Sequence, residues 1–137
     1  MPRSADVIFS IAAGSAIGGV ARYLLSDVVQ ARSGSTFPIG TLVVNLVGCL
    51  VLGFIVELAR DSAAITPAVR ALLTVGFCGG FTTFSTFSLE AVRAAEEGAV
   101  ARAAIYVGTS VIAGIFGIVA GTIAARLILQ TLRGNPA

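Results

Sequence analysis

Four long apolar runs, each closed by a short polar or turn-forming stretch, divide the chain. They predict helices over residues 6–30, 38–58, 67–97 and 100–129, since a bilayer core of about 30 Å is crossed by roughly 20 apolar residues in a helix. The joints are legible locally. Ala31 to Phe37 are small and polar and end at Pro38. Arg60-Asp61-Ser62 marks the second loop, and Thr66-Pro67 is a helix start with proline in the first turn. Gly14-Ser15-Ala16-Ile17-Gly18-Gly19 and the pair Gly117 and Gly121 predict faces where helices approach closely.

One stretch breaks the pattern. Gly76-Phe77-Cys78-Gly79-Gly80-Phe81-Thr82-Thr83-Phe84-Ser85-Thr86-Phe87-Ser88 lies inside the third run, with three glycines, six hydroxyl or thiol side chains and four phenylalanines. Each glycine weakens a helix interior by roughly 1 kcal/mol. The third span, at 31 residues, would be ~46 Å long if fully helical. Both facts predict a helix broken mid-membrane at about Gly79 to Thr83, with Thr and Ser ready to cap its second half.

Composition narrows the class. The 137 residues are 56% hydrophobic and 12% charged, with mean hydropathy +0.96. This excludes disorder and leaves no room for a soluble domain. The expectation is one all-α integral membrane domain over 1–137, its first span retained rather than cleaved as a signal peptide. All nine cationic residues are arginine and histidine is absent, which removes the commonest general base and metal ligand. No nucleophile–base pair, metal-ligand cluster or phosphate loop points to an enzyme, and no basic tract points to nucleic acid. Cys49 and Cys78 read as small packing residues, not a disulfide.

Charge placement bears on assembly. With four spans, Arg3, Arg60, Arg70, Arg126 and Arg133 fall on one side and Arg22, Arg32, Arg93 and Arg102 on the other. Five against four is almost no positive-inside bias. Insertion in both directions, with copies pairing as an antiparallel homodimer, is the expected consequence.

The site chemistry concentrates around the break. Phe81, Phe84 and Phe87 recur every three residues, so Phe84 and Phe87 share nearly one helical face, with Thr83, Ser85 and Ser88 nearby. A packing stripe is the plain reading. The alternative is a pore, in which ring edges, being electropositive, attract an anion while hydroxyls and the Asn45 amide donate hydrogen bonds. Such a lining suits a small, strongly hydrated anion. The absence of a fixed cation in that span would keep binding shallow enough for conduction. Asn45 could equally form an interhelical hydrogen bond. Carbonyls freed at the break of two copies could cage a small hard cation. Arg22 could snorkel to the interface, or bond backbone carbonyls of a neighbouring subunit. Tyr106 and Ser110, four apart on the last span, share a face. Glu90 could line a vestibule or be a solvated helix-end charge.

Three blocks carry a family resemblance: Gly18-Gly19-Val20-Ala21-Arg22-Tyr23; Gly40-Thr41-Leu42-Val43-Val44-Asn45 with Gly48-Cys49; and the Gly76–Ser88 stretch. Together they resemble the Fluc fluoride channels (CrcB family) over nearly the whole chain. The resemblance implies an antiparallel dual-topology homodimer in the bacterial inner membrane, exporting fluoride passively through two pores. It implies a structural sodium ion (Na+) at the dimer centre, held by backbone carbonyls of Gly79 and Thr82. It implies Asn45, Phe84 and Phe87 in the pore, with a polar track including Tyr106 and Ser110, and Arg22 as the first-helix arginine. Where the family often has a further hydroxyl, this chain has Gly114. Two rivals share the four-span architecture: a proton-coupled drug exporter, which would need a membrane-embedded carboxylate, and a non-conducting assembly subunit.

Overall fold

The computed structural model describes residues 4–60, 65–132 and 134. Arg3, Arg133 and Asp61-Ser62, which enter the topology and loop expectations, lie outside the described residues. Among the described residues all regular structure is helical: α1 (Ser4–Ser33), α2 (Ile39–Leu58), α3 (Pro67–Ala71), a π-helical segment (Leu72–Cys78), α4 (Gly79–Phe81), α5 (Phe84–Glu96) and α6 (Val100–Leu132). The stretch from α3 to α5 forms one membrane span, Pro67–Glu96, and α1, α2 and α6 supply three more. The protein is a multi-pass membrane protein of four spans.

Local chemistry sets the joints. Thr66 caps α3, its Oγ1 accepting from the Val69 amide at 3.3 Å, with Pro67 in the first turn. Gly34 follows α1 at φ +57°, and Gly98 follows α5 at φ +81°; both take the left-handed conformation that closes helices. Gln30 staples the first loop. Its Nε2 donates to the carbonyls of Ser35 at 2.7 Å and Phe37 at 3.2 Å, and its Oε1 accepts from the Gly40 amide at 3.0 Å. Phe37 is thereby set edge-on against the Tyr106 ring, with centroids 5.4 Å apart.

The small-residue faces pack within the chain. A Cβ at Gly14 would lie 2.8 Å from the Phe77 amide nitrogen, and one at Gly18 2.9 Å from that of Phe81. So α1 lies directly on the backbone of the third span. A Cβ at Gly121 would lie 2.9 Å from the Phe54 amide nitrogen, which brings α6 equally close to α2. Cys78 is buried and Cys49 half-buried, and both are free thiols, as expected of packing residues. Outward-facing Phe9, Ile17, Ile115 and Phe116 are exposed, as lipid-facing side chains are. Gly18→Val should destabilise the purified protein by about 1–3 kcal/mol through overpacking. Gly108→Ala, inside α6 where a Cβ meets nothing within 4 Å, should instead stabilise it by up to about 1 kcal/mol. Thermal unfolding in detergent checks both.

Candidate functional site

The break in the third span is shorter than the sequence predicts. Gly79–Phe81 keeps helical conformation, and only Thr82 (ψ 158°) and Thr83 (φ −146°, ψ 113°) are extended. Preceding it is the Leu72–Cys78 π-helical segment, a wider turn that the glycine pattern did not announce. Thr83 ends the interruption as the N-cap of α5, its Oγ1 accepting from the Thr86 amide at 3.2 Å.

Asn45 makes the break tenable. Its Nδ2 donates to the Thr83 carbonyl at 3.0 Å, and its Oδ1 accepts from the Thr83 amide at 2.7 Å. One side chain on α2 thus satisfies both backbone polar groups of an extended residue at membrane depth. On the other side Arg22 Nε donates to the Gly80 carbonyl at 3.1 Å. Arg22 therefore does not snorkel; it bonds a backbone carbonyl of its own chain. The third span has no arginine or lysine between Arg70 and Arg93, so the cation beside the break comes from α1. Arg22 lines a cavity of about 350 Å³ together with Ser26, Thr41, Thr83 and Thr86.

The interruption leaves specific carbonyls open. In a continuous helix the Thr83 amide would bond Gly79 and the Thr86 amide would bond Thr82. Both donors are engaged elsewhere, on Asn45 and on the Thr83 hydroxyl. Gly79 is exposed, and a Cβ there would meet only the Thr74 carbonyl at 3.9 Å. Gly79 and Thr82 are thus among the positions whose oxygens the broken ladder releases, together with Phe81 and with Gly80, whose carbonyl Arg22 takes.

On the opposite flank, Asn45, Phe84, Phe87 and Ser110 line one groove of about 340 Å³, with Cys49 and Gly114 beside them. Phe84 and Phe87 have ring centroids 5.5 Å apart. Phe84 is 79% exposed and Phe87 8%, so the pair runs from the open face into the packed interior. The Ser110 hydroxyl is buried and has no hydrogen-bond partner among the described residues. Phe87 then passes the line to Tyr106, centroids 5.3 Å apart. Ser85 and Ser88 are not part of this groove. Ser88 bonds back to the Phe84 carbonyl at 2.9 Å, and the exposed Ser85 lies 3.4 Å from Thr83 Oγ1.

Glu90 is the residue whose surroundings sequence left most open. It is half-buried, and its carboxylate accepts from Thr41 Oγ1 at 2.9 Å and from the Tyr106 hydroxyl at 2.7 Å. A solvated helix-end charge is excluded. The three groups line a further cavity of about 260 Å³ that continues from the Phe87–Tyr106 contact.

Comparison with known proteins fits this arrangement. Residues 9–122 match the family model described as CrcB-like protein, Camphor Resistance (CrcB). The chain belongs to this family. A protein of Aquifex aeolicus named fluoride-specific ion channel FluC is 48% identical over 80% of this chain and 89% of its own. A Geobacter sulfurreducens protein of the same name is 45% identical over 87% of this chain and 96% of its own. One from Chlorobium phaeobacteroides is 38% identical over 93% and 98%. Relatives so named are channels, in keeping with the expectation that the protein is not an enzyme.

Asn45→Ala should expose the central dependence. It leaves the Thr83 amide and carbonyl unpaired, at about 1–3 kcal/mol for each buried group. Hydrogen exchange at the Thr83 amide should rise at least tenfold, which corresponds to about 1.4 kcal/mol, while amides at the Gln30 staple stay protected.

Proposed function

We propose that this protein is a fluoride-selective channel of the bacterial inner membrane that lets cytoplasmic fluoride out passively. The observation that carries the reading is the groove in which Asn45, Phe84, Phe87 and the unpartnered Ser110 hydroxyl converge, in a chain whose relatives bear the fluoride-specific name. Fluoride is small and strongly hydrated. Its water must be replaced by several donors of modest strength, each easily left behind. Ring edges of Phe84 and Phe87 supply a weak positive surface, and Ser110 supplies a hydroxyl whose proton no acceptor takes among the described residues. Gly114 extends the groove without a donor, so Ser110 is the last hydroxyl on that side of α6 within it.

Beyond Phe87 the ion meets Tyr106 and Thr41, whose hydroxyls each hold one of the two carboxylate oxygens of Glu90. Hydroxyls that already donate to carboxylate oxygens are suited to fluoride once the carboxylate swings aside. Arg22, fixed on the Gly80 carbonyl, raises the potential near the break from outside the groove, so the passing ion meets no cation within it. Thr83 serves the path through its backbone and its cap; Ser85 and Ser88 have no place along the groove.

The assembly in this reading is an antiparallel, dual-topology homodimer. A structural sodium ion sits where two breaks meet, held by the Gly79 and Thr82 carbonyls of each protomer. Support comes from the broken ladder, which leaves those oxygens without their helical donors, and from the open face at Gly79. Sodium is a hard cation that takes neutral oxygens. Among the described residues no group of three His, Cys, Asp or Glu offers an alternative metal site. Bound there, the ion would neutralise converging carbonyl dipoles and lock the two copies together.

The test is ion efflux from liposomes containing the purified protein. Fluoride should leave rapidly and chloride barely, without a proton gradient. Phe84→Ile and Phe87→Ile should each cut fluoride efflux at least tenfold while the oligomer persists. Equal chloride efflux, a requirement for protons or an organic cation, or wild-type rates in both variants would overturn the reading.

A further inference from the structure

Arg102 has no role in the fold or in the path described so far. It opens α6 at the end of the bundle where the α1–α2 and α5–α6 loops meet. Its Nη1 donates to Thr36 Oγ1 at 2.9 Å, and its Nη2 lies 3.4 Å from Glu97 Oε2. Its Nε–H is buried and has no acceptor among the described residues. An N–H of a charged guanidinium, hidden from water and unbonded, is costly and calls for an anion or a water. Arg102 also lines the cavity of about 260 Å³ that holds Arg93, Glu97, Gln30, Glu90 and Tyr106. Its side chain is 31% exposed, so it stands between bulk water and the Tyr106–Glu90 pair.

We propose that Arg102, seconded by Arg93, is the outer docking point for fluoride at the mouth of this chamber. The inference rests on the fluoride-conduction reading above and adds where the ion leaves bulk water. The carboxylates facing the chamber are not equivalent. Glu90 is engaged inside by two hydroxyls. Glu97, at 69% exposure, has among the described residues only Arg102 as a side-chain partner, across 3.4 Å, a contact that water screens strongly. An arriving anion competes with Glu97 for the guanidinium and supplies the acceptor that Nε–H lacks. A cation at the rim, outside the narrow path, raises the local anion concentration without a deep well inside it.

The test compares fluoride flux in proteoliposomes at low and saturating fluoride, at low and high ionic strength. Arg102→Gln should lower flux about threefold to tenfold at low fluoride and low salt. It should differ less than twofold at saturating fluoride or high salt, since screening removes steering. Arg102→Lys should recover most of the loss, because the charge is kept. Glu97→Gln, which frees the guanidinium and leaves the fold's other contacts intact, should raise low-salt flux. A loss independent of salt, or a Thr36→Val variant with the same loss as Arg102→Gln, would make Arg102 a loop staple and overturn the proposal. So would wild-type flux in Arg102→Gln, or, should that variant not fold, unchanged flux in Glu97→Gln. Each of those outcomes leaves the channel reading standing. Wild-type protein that carries no fluoride overturns both.

Discussion

Everything in this fold depends on the pair of hydrogen bonds between Asn45 and the Thr83 backbone. A helix cannot simply stop inside a bilayer, because each bare amide or carbonyl there costs several kcal/mol. Asn45 carries a donor NH2 and an acceptor oxygen on one planar amide, which matches an extended residue that presents both an acceptor and a donor. The Thr83 hydroxyl then satisfies the first amide of α5, and Arg22 takes the Gly80 carbonyl. With these three side chains in place, the third span can be interrupted without a buried penalty at those groups. Gly48 leaves room for it as well: a Cβ there would press on the Phe81 ring at 3.2 Å.

The interruption separates two kinds of chemistry by only a few residues. On its N-terminal side it releases carbonyl oxygens at Gly79 and Thr82, which suit a cation. On its C-terminal side a fresh, well-capped helix turns Phe84 and Phe87 toward a groove of weak donors, which suits an anion. The same backbone event underlies both, so the proposed cation site and the proposed anion path stand or fall together. Asn45 belongs to each. Its amide clamps the break while its side chain lines the groove, and one Nδ2 proton remains beyond the bond to Thr83.

The four spans, the capped start at Thr66-Pro67 and the close-packed glycine faces were readable from spacing and residue type, because they rest on contacts a few residues apart or on bulk hydropathy. Membership of the CrcB family was readable from three motif blocks. The finer site was less so. Arg22 and Gly80 are 58 positions apart, Asn45 and Thr83 38, and Thr41 and Glu90 49. No local pattern announces such pairs. From sequence, Arg22 therefore reads either as an interfacial charge or as a partner of a neighbouring subunit's carbonyls, and Glu90 either as a vestibule residue or as a solvated charge; the structure engages each with its own chain. The phenylalanine period grouped Phe84 with Phe87, whose rings are neighbours, and set beside them Ser85 and Ser88, which do not line the groove. Hydroxyls on a helix bond back to its own carbonyls as readily as they face a partner, and Ser88 does so.

The central claim is that fluoride passes unaccompanied along a lining of neutral donors, driven only by its own gradient. Current recorded across a planar bilayer under opposed fluoride and proton gradients tests it most directly. The account predicts a reversal potential at the fluoride equilibrium value, unmoved by the proton gradient or by chloride on either side. A reversal potential that follows protons or chloride would contradict it.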